Sequence, residues 1–307
     1  MAFPQLSPEQ REDRLTPPEG KVQMILDTDT YNEVDDQFAL VHALRSPESM
    51  EVRGVHAAPF HNARSADPGD GMAKSYDEIL RLLDLMDIDP GGLVYRGATG
   101  YLPDADTPVG SAAAEHLVDV AMAATDAPLY VVAIGAITNV ASALLMEPRI
   151  AERIVVVWLG GNDRHYPHAH EFNLKQDVPA TRVVFDCGVP LVHIPCKRVA
   201  SHLLTTLPEL RHYLAGGSKL GDYLYNIVDD YGGGDCWSKV IWDISATSWL
   251  VNHDWVRSSL APSPVLTAAP DGTLRWQMDP SRHLIREAFF IDRDAIFRDV
   301  FTKITSK

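Results

Sequence analysis

Short apolar runs of strand length recur between longer amphipathic stretches through the first two thirds of this chain, and that alternation limits its fold more than any other feature. The strand candidates are Val22–Leu26, Val52–Ala57, Leu129–Ile134, Ile154–Leu159 and Val189–Ile194. Between them lie helix candidates at Val34–Arg45, Gly71–Met86, Gly110–Ala124, Asn139–Met146 and Ala180–Asp186. Strands joined by helical crossovers pair in parallel and need helices on both faces, so the expectation is an α/β fold with a mostly parallel open sheet. Beyond Pro195 the pattern turns mostly helical, with candidates at Pro208–Leu214, Leu220–Tyr231 and Lys239–Val251. A small antiparallel piece is expected across Val265–Gln277, around the Pro270-Asp271-Gly272 turn, before a last helix at Arg293–Thr302. The polar, proline-bearing residues 1–20 read as a flexible arm, and residues 21–307 as a single domain without repeats or a linker.

At the carboxyl end of the first strand candidate the chain reads Met24-Ile25-Leu26-Asp27-Thr28-Asp29, and Asp35-Asp36 then opens the apolar run Gln37–Leu44. These carboxylates repel one another unless a positive charge sits among them. The turn after a strand of an open α/β sheet is where ligands bind, and the start of a helix favours negative charge. A hard divalent cation accounts for the pattern, and Ca²⁺ suits a flexible carboxylate cage better than Mg²⁺. A solvated acidic turn that only caps a helix is the plain alternative.

The formal net charge of -15 argues against a nucleic-acid partner, because such binding rests on Lys and Arg neutralising phosphates. Cys187, Cys196 and Cys236 show no Cys-x-x-Cys spacing and read as reduced thiols. With no run of membrane-spanning length and no signal-like apolar core near the start, a cytoplasmic protein is expected. Long polar loops at 59–70 and 160–171 are further candidate sites.

Three later segments complete a pattern with the acidic turn: Ala133-Ile134-Gly135-Ala136-Ile137-Thr138-Asn139; Gly160-Gly161 with Glu171-Phe172-Asn173 and Asp177; and Trp242-Asp243 leading into a helix. In that order they resemble the inosine-uridine preferring nucleoside hydrolase family, over about residues 22 to 300. The resemblance implies Ca²⁺-dependent hydrolysis of the N-glycosidic bond of ribonucleosides. It implies Asp29, Asp36, the main-chain carbonyl of Ile134 and Asp243 as metal ligands, with Asp29 also the base for the attacking water. Asp35, Glu171 and Asn173 would hold the sugar, and Asp27 would order the turn. The substrate would be a small ribonucleoside or other N-riboside, handled by a homodimer or homotetramer, with no nucleic acid and no membrane involved.

The chain departs from the family pattern in three places. Thr30-Tyr31-Asn32-Glu33-Val34 is two residues longer than usual, which brings Tyr31, Asn32 or Glu33 beside the site. Trp242 stands where many members carry the histidine that protonates the leaving base. It cannot do so, but it can stack on a nucleobase. His165 replaces a usual asparagine near the sugar, in a loop with Tyr166, His168 and His170, while His61 and Asn62 sit near another ribose-contacting position. Two rival readings remain open from sequence. Asp27-x-Asp29 also resembles the first motif of haloacid-dehalogenase-like, Mg²⁺-dependent phosphatases, with Lys219 and Asp229-Asp230 in order. A Ca²⁺-dependent nucleoside or ribose binder without turnover is the other.

Overall fold

The computed structural model describes residues 3–124, 127–234 and 236–306. Its strands are β1 (Val22–Thr28), β2 (Met50–Ala57), β3 (Val94–Arg96), β4 (Leu129–Ala133), β5 (Ile154–Leu159), β6 (Leu191–Ile194), β7 (Leu204–Thr206), β8 (Ser238–Val240), β9 (Val256–Pro262), β10 (Val265–Ala268), β11 (Leu274–Gln277) and β12 (Leu284–Ile291). Its α-helices are α1 (Pro8–Leu15), α2 (Asp36–Leu44), α3 (Pro68–Leu85), α4 (Ala112–Ala123), α5 (Thr138–Met146), α6 (Phe172–Gln176), α7 (Val178–Asp186), α8 (Leu207–Leu214), α9 (Lys219–Tyr231), α10 (Ile244–Val251) and α11 (Arg293–Thr305).

Eight strands form one sheet in the order β3-β2-β1-β4-β5-β6-β12-β9. All neighbours pair in parallel except β12 with β9. Every residue of β4 and β5 is buried, as a parallel sheet covered on both faces requires. Along β1 the side chains alternate between two apolar layers. Met24 and Leu26 join the layer of α2, α3 and α8 to α11, while Ile25 joins that of α4, α5 and α7. The chain runs outward from β1 to β3 on one side and from β4 to β6 on the other, so the strand order reverses between β1 and β4. A crevice opens at the carboxyl ends there.

Three expectations change. Residues 8–15 are a packed helix, not part of a flexible arm. Ser7 and Gln10 form a reciprocal capping box, Leu15 is fully buried, and Arg286 Nε donates to its carbonyl at 2.5 Å. The stretch expected as one helix from Lys239 to Val251 splits instead. Its start pairs antiparallel with β7, and the helix begins at Ile244 after Asp243. The carboxyl-terminal third is also less helical than its sequence suggests, because β12 and β9 extend the main sheet. The expected antiparallel piece is the β10–β11 pair. Among the described residues no helix is long and apolar enough to cross a membrane.

Candidate active site

β1 ends in the crevice, and its polar end residues turn toward the start of α2. Thr28 Oγ1 donates to Asp36 Oδ1 at 2.5 Å, and the Asn32 N–H donates to the Asp29 carbonyl at 2.7 Å. Asp35 precedes α2 but does not cap it with its side chain; its oxygens accept from Lys239 Nζ (3.1 Å) and the Trp242 N–H (3.1 Å). Asp243 precedes α10, likewise without a side-chain cap. Two helix N-termini thus meet over one group of carboxylates, a favourable field for negative charge. The buried His42 of α2 links the two helices behind the site. Its Nδ1 lies 2.8 Å from Thr247 Oγ1 of α10, and its Nε2 lies 2.8 Å from Asp299 Oδ2 of α11.

Oxygens of Asp35, Asp36 and Asp243 lie within 4.8 Å of one another, and all three residues are buried. Asp36 is within hydrogen-bond reach of both Asp29 and Asp243. Asp29 is fully buried, and neither of its carboxylate oxygens accepts from a donor; another carboxylate, Asp36, lies beside it. Burial, followed by repulsion from Asp36 and Asp35, pushes the Asp29 carboxyl well above the ordinary carboxylate range. Asp243 moves the same way through burial and its carboxylate neighbours, as does Asp36 through burial and Asp35. Burial alone would lower the Lys239 ammonium, but Asp35 and Glu33 outweigh it and raise it. One lysine does not balance the group. Hard oxygen donors, orphaned and mutually repelling, fit a Ca²⁺-type cation. Asp35 is already opposed by Lys239, so Asp29 is the carboxylate left most in need of positive charge.

The walls come from neighbouring strand ends. Asn173 Nδ2 donates to the carbonyls of Ile134 (2.9 Å) and Leu159 (3.0 Å), tying together the chain just past β4 and the end of β5. Gly135 lets Asp29 lie close against this segment, since a Cβ there would stand 3.0 Å from Asp29 Cγ. Glu171 caps α6, accepting from the N–H groups of Gly161 (2.8 Å), Asn173 (2.9 Å) and Leu174 (3.2 Å). Gly161 sits at φ 70°, a left-handed conformation that suits glycine. Burial raises the Glu171 carboxyl, and these three donors pull it part of the way back.

Asp29, Asp35, Asp36, Ile134, Glu171, Asn173, Trp242 and Asp243 all line one cavity. From the longer first loop Asn32 and Glu33 join them, while Tyr31 lies under the Arg64 guanidinium at 4.3 Å. His165 and His61, expected near the sugar, do not line this cavity. His165 is exposed, its N–H bonded to Asp163 Oδ1 (2.9 Å), and His168 and His170 of the same loop face the cavity instead. His61 is exposed and held through its N–H by Gln176 Oε1 (2.8 Å). Asp27 accepts from Asn139 Nδ2 (2.9 Å) and stays behind the site, ordering the turn. Sequence reasoning missed Lys239, Lys197, Asn162 and Cys196. A lone lysine or asparagine beside an unassigned loop carries no signal that singles it out.

The model of the inosine-uridine preferring nucleoside hydrolase family matches residues 24–278. The chain belongs to this family. It is 27% identical over 232 residues to a probable uridine nucleosidase 2 of Arabidopsis thaliana, a match spanning 68% of this chain and 69% of that protein. A putative pyrimidine-specific ribonucleoside hydrolase of Shigella boydii is 30% identical over 159 residues, 48% of this chain and 63% of its own length. The chain therefore spans under two thirds of that bacterial relative. Among solved structures, an inosine-guanosine nucleoside hydrolase superposes with a TM-score of 0.73 at 18% identity, covering 93% of this chain and 99% of that one. A purine-preferring ribonucleoside hydrolase from Gardnerella vaginalis gives 0.72 at 21%, covering 92% and 98%. At these identities the structures establish the nucleoside hydrolase fold.

Proposed function

We propose that this protein hydrolyses the N-glycosidic bond of ribonucleosides to ribose and free base, with Ca²⁺ held by Asp29, Asp36, Asp243 and the Ile134 carbonyl. One observation carries the reading. Buried carboxylates from both ends of the chain meet in one cavity, and the oxygens of Asp29 have no donor. The Ile134 carbonyl takes the Asn173 amide on one lone pair and keeps the other free. Bound there, Ca²⁺ supplies positive charge and a template for the sugar's polar groups.

The chain's own residues then divide the work. Asp29 takes the proton of the water that attacks the anomeric carbon. Asp35 accepts a hydrogen bond from a ribose hydroxyl, while Glu171 and Asn173 hold the far side of the sugar. The surplus of carboxylates stabilises the oxocarbenium-like centre as the base departs. Trp242 offers its face to the base. Relatives named for uridine, pyrimidine and purine nucleosides share the ribosyl group, so the substrate class is set at the sugar.

A phosphatase built on Asp27 loses its parts. Asp27 lies outside the cavity lining, and Lys219, Asp229 and Asp230 are exposed residues of α9 that do not line it. The test is reducing-sugar release from inosine, uridine, cytidine and guanosine, with Ca²⁺ and with a chelator. Release that the chelator abolishes and Ca²⁺ restores is expected. Tight calorimetric binding of these nucleosides without any release would overturn hydrolysis and leave a nucleoside binder.

A further inference from the structure

Two lysines near this acid-rich cavity are placed differently, and of the two only Lys197 lines it. Lys239 is buried and paired with Glu33 (2.6 Å) and Asp35 (3.1 Å). Lys197, at the exposed rim just past β6, instead places its ammonium 5.1 Å from the ring centroid of Trp242, and both residues line the cavity. Its main chain is anchored, because its N–H donates to Asn162 Oδ1 at 3.3 Å. Among the described residues its ammonium faces that ring and pairs with no carboxylate. Trp242 adjoins the acid cluster directly: its own N–H is bonded to Asp35 and its neighbour is Asp243. The aromatic face and the uncommitted cation therefore stand together where the carboxylates end.

Resting on the glycosidase reading above, we propose that Lys197 and Trp242 form the leaving-group subsite, with the Lys197 ammonium stabilising the base as it departs as an anion. A base stacking on Trp242 displaces the ammonium from the ring face to the base edge. There three N–H donors and no acceptor meet carbonyl oxygens and ring nitrogens. When the C1′–N bond breaks, its electron pair stays on the base nitrogen. The water oxygen bonds C1′ and its proton passes to Asp29, then to solvent, while the released anion takes a proton from water outside the cavity. The substrates that gain are neutral ribosides of oxo-purines and oxo-pyrimidines, whose anions are delocalised. A base that is already cationic gains nothing from Lys197.

His168 and His170 line the same cavity and are the competing donors. His168 is turned edge-on to Tyr166, with centroids 5.0 Å apart, and its Nδ1 lies 3.5 Å from Asn162 Nδ2. His170 is exposed.

The test compares inosine and uridine with 4-nitrophenyl β-D-ribofuranoside, whose leaving group needs no assistance, using the Ca²⁺-loaded full chain. In Lys197→Met the kcat for inosine and uridine should fall on the order of 100-fold, against less than about threefold for the nitrophenyl riboside. Lys197→Arg should recover most of the loss. Equal losses on all three substrates, or no loss on any, overturn the assignment. So does a leaving-group-selective loss in His168→Asn or His170→Asn with Lys197→Met unaffected. Absence of turnover of every riboside by the unaltered protein would instead overturn the glycosidase reading itself.

Discussion

On the floor of the cavity, Asp29, Asp36 and Asp243 are buried at the ends of regular elements and lack enough positive charge to balance them. On the rim, His168, His170 and Lys197 hang from loops, partly or fully exposed, with few fixed partners. The floor stores electrostatic stress that a cation relieves, and the rim stores almost none. On the proposed reading, chemistry at the sugar falls to buried residues at element ends, and selection among bases to exposed side chains on loops.

The largest break in that contrast should come from Asp29→Asn. Turnover should fall on the order of 1000-fold with weaker Ca²⁺ binding, read by ribose release and calorimetry. Activity within tenfold of the unaltered protein would remove Asp29 from its role. Next, Lys239→Met leaves buried Asp35 without its partner, and should cost about 3–5 kcal/mol in urea unfolding. A change under about 1 kcal/mol would mean the pair is not buried as described.

Acid should stabilise the floor when the cation is stripped. Asp27 is pushed up to about 7 by burial, with the Asn139 hydrogen bond opposing, and Asp29, Asp36 and Asp243 shift the same way. A carboxyl whose folded value lies above its unfolded value contributes stability below about pH 4, and loses it as pH rises through the folded value. Chelator-treated protein should therefore melt several degrees higher at about pH 5 than at about pH 8, and Ca²⁺ should narrow the gap. A chelated sample whose melting temperature rises toward pH 8 would contradict the floor's charge state.

Asn173→Ala should lose about tenfold in kcat/KM with ribosides and less with a sugar lacking the hydroxyl it holds. Smallest of all, His165→Ala and His61→Ala should change activity by less than about twofold and stability by under about 0.5 kcal/mol. A large loss from either would show that the rim closes over the substrate.

Most of the parallel sheet could be read from sequence because β4 and β5 are buried on both faces and carry unbroken or nearly unbroken apolar runs, and β1 has an apolar centre at Met24–Leu26. β9 and β12 escaped notice because their pairing is nonlocal and their sequences, VRSSLAP and LIREAFFI, mix polar and apolar residues. The helix α1 had its signal in Ser7 and Gln10, which the polar composition around them hid.

The short side chains of the floor explain why it was legible. A carboxylate one or two bonds from the end of a strand or the start of a helix has little choice of direction, so Asp29 and Asp36 stood out from position, whereas Asp243 was named only through the resemblance to the family. Sequence by itself determined the α/β architecture and the acidic turn after β1, and the resemblance to the family added Asp243 and the Ile134 carbonyl. Tertiary structure alone decided that Lys239 neutralises Asp35, that His168 and His170 replace His165 at the cavity, and that Lys197 lies over Trp242. Long side chains and loop residues take their direction from whatever packs against them, and those neighbours are distant in the chain.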